Sequence, residues 1–374
     1  MDGIMYGQWI GTSVNAKGIE TVVTFNIEKR TPTIGQSLGH IPSVPHLRTC
    51  STFKIPEFQN DVVIEGVDAR FFDVKAGVLI PVEEYLKNNN LKIPVPKKTD
   101  FKFLKKGKIL EGSFKNDIDS GTFLLKKTIG DAPHKTDYAL NWKEFKDFVA
   151  EKYINSPSII FRGQPDNSYK LRTAFHRCDR NNLLAYVNND VPVLRHAVNA
   201  VSSFYYREND IEQFGALLSL AQHHGYPTPI LDWTFSPYIA AFFAFTTPPS
   251  GTEKAEAIRI FCFNMDGWPA ETTAKIMYDP MPSISFHRFS AHNNPRFAPQ
   301  QSIGSFSNVD DMENFIYERE KVMKKKFLTK IDIPITEKRK VLEELNLMGI
   351  NAGSLFPGID GVCRSLKERY FPCG

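Results

Sequence analysis

Residues 221–245 read AQHHGYPTPILDWTFSPYIAAFFAF, and this segment constrains the fold more than any other stretch. Gly225 directly follows an apolar-periodic segment, so we expect it to end a helix in the left-handed conformation that glycine tolerates best. The two prolines of the PTP triplet hold the next residues extended, because the residue before a proline is pushed out of the helical region. Ser236 and Pro237 then form a typical helix start, with serine as N-cap and proline in the first turn.

The same segment places polar side chains between apolar elements. Ile230 and Leu231 predict a short buried strand, and 238–245 is apolar nearly all round, which is typical of a core helix. Asp232 and Thr234 lie between them, and strand alternation would put both on one face, where they could orient a single ligand. We therefore expect a binding site here, although Asp232 could also simply brace the loop.

Bulk properties limit the class of protein. A chain of 374 residues is longer than one core usually grows, which predicts two domains. A net charge of +4 permits a nucleic acid or an anionic nucleotide as partner without requiring one. The five cysteines are scattered and never spaced CxxC, which argues against a disulfide framework and a zinc finger. No signal pattern and no apolar run of ~20 residues is present, so we expect no membrane contact and a cytoplasmic location.

Residues 1–128 have the pattern of an all-β accessory domain. Short β-branched and aromatic runs alternate with Gly, Pro and Asn, and 109–114 and 122–125 flank a hairpin signal. This pattern predicts a small antiparallel β-barrel or sandwich. The Gly7-Gln8-Trp9 triplet is similar to the opening of lipocalin-like barrels, so a ligand cup is an alternative to a shielding role.

A basic run lies near the end of this region, with Phe101 and Phe103 between its lysines. Such a run either contacts phosphates or forms a solvated edge that discourages strand pairing. Its lysines are Lys97, Lys98, Lys102, Lys105, Lys106 and Lys108.

A polar linker at 129–139 precedes the second domain, 140–374, which has the alternating pattern of a mixed α+β fold. Asn141 and Glu144 form a capping box for its first helix. Residues 279–307 are rich in Pro, Asn and Ser and show neither helix nor strand periodicity, so we expect an irregular segment there.

Arg162 is the first candidate for chemistry. It follows the apolar strand 159–161 and precedes Gly163, so its guanidinium is expected at the mouth of a cleft. The planar fork of arginine suits a phosphate or a pair of ribose hydroxyls. The alternative is a structural ion pair with a carboxylate such as Asp232.

Two further groups carry polar side chains. His223 and His224 are adjacent on a helix, point about 100° apart and would chelate one metal poorly, and no HExxH motif supports zinc. His223 is therefore expected to hydrogen-bond the following loop or to transfer a proton. Gln300 and Gln301 follow Arg296, and their amides would hold a ribose hydroxyl or fasten a loop.

The chain lacks the motifs of several large enzyme classes. There is no GxSxG elbow of a serine hydrolase, no Walker motif and no GxGxxG fingerprint. A Ser–His–Asp hydrolase and a Rossmann enzyme are thereby disfavoured.

Four segments together resemble the FRG-domain family, which is named for its Phe-Arg-Gly motif. They are Phe161-Arg162-Gly163, the 221–245 segment, Asn294-Pro295-Arg296 with Gln300, and Leu355-Phe356-Pro357-Gly358. The resemblance covers about 140–374 and leaves the β-domain outside. It implies little about activity, because the family is mostly uncharacterised.

The second domain is also similar to the plan of ADP-ribosyltransferases. That resemblance implies that Arg162 binds NAD near the nicotinamide ribose and phosphate, and that Thr234 and Ser236 shape the nicotinamide pocket. Gln300 or Gln301 would replace the usual catalytic glutamate. This departure matters because positive charge builds up on the ribose during the reaction, and an amide offers only a dipole against it.

The sequence therefore predicts an NAD-binding protein of ADP-ribosyltransferase or NAD-glycohydrolase type, of the kind found in bacterial toxins or phage defence, acting on a protein or nucleic-acid acceptor. The alternative is a non-catalytic module for nucleic acid or protein. The predicted catalytic residues are Arg162, Gln300, Gln301 and His223. The predicted cofactor-binding residues are Arg162, Gly163, Gln164, Asp232, Thr234, Ser236 and Tyr238. No metal site is predicted.

Overall fold

The structure is a computed structural model with two sheets. It describes residues 6–28, 33–40, 48–55, 61–65, 68–73, 78–92, 94, 98–128, 135–207, 210–248, 255–269, 279, 281–289 and 294–371. Most of the predicted linker, 129–134, lies outside these residues.

The N-terminal domain is an antiparallel sheet of ten strands in the order β5-β8-β9-β10-β1-β2-β3-β4-β6-β7. Among the described residues no pairing joins β5 to β7, so the sheet is open and the predicted closure into a barrel is not observed. Its strands are β1 (Gly7–Asn15), β2 (Glu20–Glu28), β3 (Thr33–His40), β4 (Arg48–Ile55), β5 (Asp61–Glu65), β6 (Asp68–Asp73), β7 (Val78–Pro81), β8 (Lys98–Lys106), β9 (Ile109–Asn116) and β10 (Ser120–Lys127). The predicted hairpin joins β9 to β10.

One helix interrupts this sheet, contrary to the all-β prediction. Helix α1 (Val82–Asn88) has Glu83 and Glu84 in its first turn, where negative charges interact favourably with the positive end of the helix dipole. It buries Val82 and Tyr85 against the sheet, which is why a seven-residue helix is stable here.

The second domain is a seven-stranded mixed sheet in the order β11-β17-β14-β12-β13-β16-β15. Its strands are β11 (Tyr138–Ala139), β12 (Ile159–Gln164), β13 (Ile230–Thr234), β14 (Ala257–Asn264), β15 (Ile284–His287), β16 (Ser302–Ser307) and β17 (Leu328–Pro334). Its helices are α2 (Trp142–Tyr153), α3 (Ala174–Arg177), α4 (Leu183–Ala185), α5 (Val191–Asn199), α6 (Ile211–His223), α7 (Pro237–Thr246), α8 (Met312–Met323), α9 (Lys338–Leu347), α10 (Ala352–Leu355) and α11 (Ile359–Tyr370). A mixed α+β domain is confirmed.

Local signals place the helix ends correctly. Asn141 and Glu144 form the predicted capping box of α2, Gly225 has φ +84° just past α6, and Ser236 caps α7. No helix in the described part of the chain is long and apolar enough to cross a membrane.

The prediction of an irregular segment at 279–307 is wrong for two stretches. Strands β15 and β16 lie within it and extend the sheet beyond β13. The Phe289 ring packs against Gly304 of β16, in the space that a side chain would occupy. A Cβ at this position would lie 2.3 Å from the ring. The strand is therefore held by its neighbours rather than by its own β propensity, which Ser and Gly keep low.

The two domains meet through buried polar contacts at Gln8 of β1. Its amide nitrogen donates to the carbonyl of Asn308, 2.7 Å away, and its amide oxygen accepts from the backbone N–H of Asp310, 3.1 Å away. Gln8 is 1% exposed, so each of these bonds satisfies a group that water cannot reach.

Glu28 of β2 makes a second joint. Its carboxylate accepts from the backbone N–H groups of Asn181 and Asn182, at 2.7 and 2.8 Å, and pairs with Arg180 at 3.1 Å. A buried carboxylate requires several such partners, because an unpaired buried charge is strongly destabilising.

We predict that Gly163→Ala destabilises the second domain. A Cβ at Gly163 would lie 1.9 Å from the carbonyl oxygen of Ala240 and 2.9 Å from the Cβ of Ala244, so α7 would have to move off β12. We expect a loss of about 1–3 kcal/mol in the free energy of unfolding, measured by urea denaturation. Gly353→Ala in α10 is the matched control, since its nearest atom is the Asn351 Oδ1 at 3.2 Å. Equal stability of the two variants would contradict this close packing.

Candidate functional site

The candidate site lies where β12 and β13 diverge. Strand β13 pairs along its whole length with β16, from Ile230 to Thr234. It pairs with β12 only through Phe161 and Thr234. The two strands therefore separate beyond this pair, and the side chains next to it border a gap.

Arg162 follows the single pair on β12. Its Nη1 donates to the backbone carbonyl of Asp232, 2.6 Å away. Its Nε is buried and has no hydrogen-bond partner among the described residues. Burial lowers the pKa of the guanidinium to about 10, and the Asp232 carboxylate opposes that shift. Arg162 thus remains a cation at neutral pH, with a buried Nε–H donor that no described protein group satisfies.

The Asp232 carboxylate lies beside this guanidinium. Its side chain is exposed to solvent, but the surrounding protein desolvates it and raises its pKa. The charge of Arg162 and a hydrogen bond from Gln222 oppose this rise. A carboxylate that is accessible yet surrounded by protein is typical of a concave wall. Arg162 and Asp232 are thus neighbours, joined by the hydrogen bond to the Asp232 backbone carbonyl and by charge attraction rather than by a side-chain ion pair, and both border the gap.

Two more arginines act electrostatically on predicted site residues, one on Arg162 and the other on His223. Arg177, at the end of α3, lowers the pKa of Arg162 by charge repulsion. Burial lowers the pKa of His223 to about 4, and charge repulsion from Arg296 is the second cause of that shift. His223 is consequently neutral at neutral pH, and a neutral imidazole accepts a proton. The site as a whole favours an anionic ligand.

Thr234 and Ser236 use their hydroxyls within the protein. The Thr234 hydroxyl donates to the carbonyl of Gln300 at 2.7 Å and accepts from the N–H of Ser236 at 3.1 Å. The Ser236 hydroxyl accepts from the N–H of Ile239 and caps α7. These hydrogen bonds hold the 294–301 segment against the start of α7.

The two glutamines also fasten this segment. The Gln300 amide donates to the carbonyl of Leu355, 3.0 Å away, which links the segment to α10. Gln301 has a positive φ of 49° and accepts from the N–H of Phe235 through its carbonyl, while its side chain is exposed. Of the two interpretations of Gln300, the structure shows the loop contact.

The remaining predicted binding residues are covered by packing or held by buried hydrogen bonds. Gly163 is covered by α7, as described above. Tyr238 packs its ring against Trp142, with centroids 6.0 Å apart, in the core beneath α2. Gln164 is buried and donates weakly to the carbonyl of Lys170 at 3.4 Å. Gly163 and Tyr238 thus have packing roles in this structure.

Sequence analysis assigned no role to Arg177 and did not pair Gln222 with Asp232. Arg177 belongs to none of the quoted motifs, and although Gln222 lies within the 221–245 segment, its contact with Asp232 depends on how the loop between them folds. Thr173 caps α3 and signals that helix, but it does not indicate what the far end of the helix will face. Only the three-dimensional structure identifies these neighbours.

Comparison with known proteins supports the first resemblance. Residues 157–253 match the sequence model of the FRG domain. The matched segment contains Arg162, His223 and Asp232 and ends before Gln300. The resemblance to ADP-ribosyltransferases gains no support from these matches and stays a hypothesis.

No curated protein matches the chain. Two designed proteins are among the solved structures that do. A redesigned β-barrel, mFAP1, bound to DFHBI is 9% identical and covers 33% of this chain and 94% of its own, with a TM-score of 0.22. A fluorescence-activating β-barrel designed de novo is 11% identical and covers 34% of this chain and 98% of its own, also with a TM-score of 0.22. Such scores do not define a shared fold.

We predict that Thr234→Val destabilises the second domain by about 1–3 kcal/mol, because the Gln300 carbonyl loses its donor and the Ser236 N–H loses its acceptor. Urea denaturation measures the change. Thr234→Ser keeps the hydroxyl and should retain most of the stability. If Thr234→Val were as stable as the parent, the hydroxyl would not be bracing the segment.

Proposed function

We propose that the FRG domain binds a nucleotide, with NAD as the ligand, and cleaves its nicotinamide–ribose bond by ADP-ribosyl transfer or hydrolysis. The observation that carries this proposal is that the Arg162 guanidinium and the solvent-exposed Asp232 carboxylate are neighbours where β12 and β13 separate. One group suits a phosphate and the other suits sugar hydroxyls.

The phosphate would bind on the arginine side. Arg162 supplies a positive charge and a Nε–H without a partner among the described residues, which a phosphate would reach by displacing the atoms that cover it, and Arg177 adds a second positive charge. Arginine binds phosphate through two parallel N–H donors, which fixes orientation as well as charge. A pyrophosphate here would also relieve the repulsion between these two cations.

The ribose would face Asp232. A carboxylate accepts hydrogen bonds from vicinal hydroxyls, as acidic residues do in other nucleotide sites. When the bond from C1′ to the nicotinamide nitrogen breaks, its electron pair moves to the pyridinium ring and neutralises it, so the leaving group needs no proton. Positive charge then builds on the ribose, and an ionised carboxylate stabilises it.

This geometry moves the carboxylate role from the Gln300 position to Asp232. The Gln300 amide is bonded to Leu355, whereas Asp232 presents a carboxylate at the gap. Water or an acceptor hydroxyl would attack C1′ and lose its proton to the neutral imidazole of His223. The acceptor would be water, a protein or a nucleic acid. Depletion of NAD by such a reaction is the basis for proposing a toxin or phage-defence role.

We expect the purified protein to release free nicotinamide from NAD, with or without cell lysate as a source of acceptor. Asp232→Asn should lower the rate about 10²–10³-fold, the usual effect of removing one transition-state electrostatic contact. Asp147→Asn makes the same charge change on an exposed site of α2 and should leave the rate unchanged.

The assay also separates the enzyme from a non-catalytic module. Absence of nicotinamide release under both conditions would contradict NAD cleavage. Full activity of Asp232→Asn would instead assign the carboxylate role to another residue. In a bacterial host, expression of the parent but not of Asp232→Asn should lower cellular NAD if the protein acts as a toxin.

The rate of NAD cleavage should fall on the acid side as Asp232 becomes protonated. Because its pKa is raised, the loss should occur at higher pH than for an ordinary aspartate with a pKa of about 3.9. Protonation of His223, the proposed base, near its pKa of about 4 should also lower the rate, so the loss assigned to Asp232 is the one that begins at higher pH. A pH–rate profile of the parent measures the effect. A limb centred at or below the ordinary aspartate value would contradict the desolvated carboxylate.

A further inference from the structure

A cavity lies where the N-terminal sheet meets helix α8, and its lining shares no residue with the Arg162 gap. Its volume is about 880 Å³, and we call it the lysine groove. It is lined by Ile10, Lys106, Lys108, Ile109, Lys126, Lys127, Thr128, Val309, Asp311, Asn314, Phe315, Tyr317, Glu318 and Lys321.

The charge of the groove is strongly positive. Its described lining includes five lysines against two carboxylates. Both carboxylates already have cationic partners, because Asp311 pairs with Lys170 at 2.8 Å and Glu318 pairs with Lys321 at 2.7 Å. Lys106 also pairs with Glu111, which lies outside the lining, so the excess positive charge of the sheet side comes mainly from its other lysines.

The sheet spaces these lysines regularly. One row of paired residues crosses four neighbouring strands. In order across the sheet, it consists of Ile10 of β1, Lys126 of β10, Ile109 of β9 and Lys106 of β8. Adjacent strands are about 4.8 Å apart, so the two lysines are separated by roughly 10 Å across the floor. Charges at such intervals on an open surface suit an extended polyanion better than one compact phosphate.

The opposite wall adds an aromatic ring. Tyr317 of α8 is half-buried, and the ammonium of Lys321 lies 4.6 Å from its ring centroid. Proteins that bind single-stranded nucleic acid combine a basic groove with aromatic rings on which bases stack. An acidic peptide would use the lysines but would have no particular need for the ring.

We propose that the lysine groove binds single-stranded nucleic acid, with its backbone along the lysines of the sheet and a base against Tyr317. Lysine suits this role because it contacts phosphates as a point charge without requiring fork geometry. The groove uses only the later part of the basic run noted in the sequence, joined by Lys126, Lys127 and Lys321. It is independent of NAD cleavage.

Fluorescence anisotropy of the full chain with labelled oligothymidylate and oligouridylate of about 12 nucleotides tests the proposal. We expect binding that weakens steeply between about 50 and 200 mM salt. The double variant Lys126→Ala/Lys321→Ala removes one lysine from each wall. It should weaken binding at least about tenfold at the lower salt and reduce the slope of log affinity against log salt by about 1.4, at ~0.7 per lost phosphate contact.

The matched control is Lys115→Ala/Lys143→Ala, which removes two exposed lysines outside the groove. It should bind like the parent, and thermal melting of both double variants should show that they remain folded. Tyr317→Ala should weaken binding without changing the salt slope.

Absence of oligonucleotide binding, equal loss in both double variants, or equally tight binding of polyglutamate would each overturn the proposal. A preference between the two oligonucleotides would identify DNA or RNA as the ligand.

Discussion

The close approach of helix α7 to strand β12 organises the second domain. Gly163 provides no side chain where the Ala240 carbonyl lies, so the helix rests directly on the strand. This contact fixes the start of α7, where Ser236 forms the cap, and hence the turn that follows β13. Arg162, the neighbour of this glycine, is held in place by the same contact. A packing constraint thus determines the position of the group that we assign to phosphate.

The two proposed anion sites use different cations for different tasks. The gap between β12 and β13 is built from arginines, whose rigid forks suit one phosphate group in a fixed orientation. The groove beside α8 is built from lysines, whose flexible charges suit a chain of phosphates. A net charge of +4 conceals this division, because carboxylates elsewhere offset both clusters. The distribution of charge, rather than its sum, is what bears on function.

Sequence reasoning succeeded where the chemistry is local. Gly225 and Ser236 mark helix ends through their own backbone and side-chain preferences, and the structure confirms both. It failed for β15 and β16, whose few β-forming residues are held in the sheet by neighbouring strands and by a ring from another segment. For the candidate site, the sequence allowed Arg162 to pair with Asp232. The role of Gln300 could not be decided from the sequence, since its partner is 55 residues away.

Glu28 of the N-terminal domain completes the hydrogen bonding of a loop in the second domain. Its carboxylate is the acceptor for two backbone amides and for Arg180, all within the segment that follows α3. A fragment beginning at the predicted linker would lose that acceptor and leave those donors to water, close to the helix that carries Arg177. The second domain on its own would therefore lack the carboxylate that satisfies the donors of this loop.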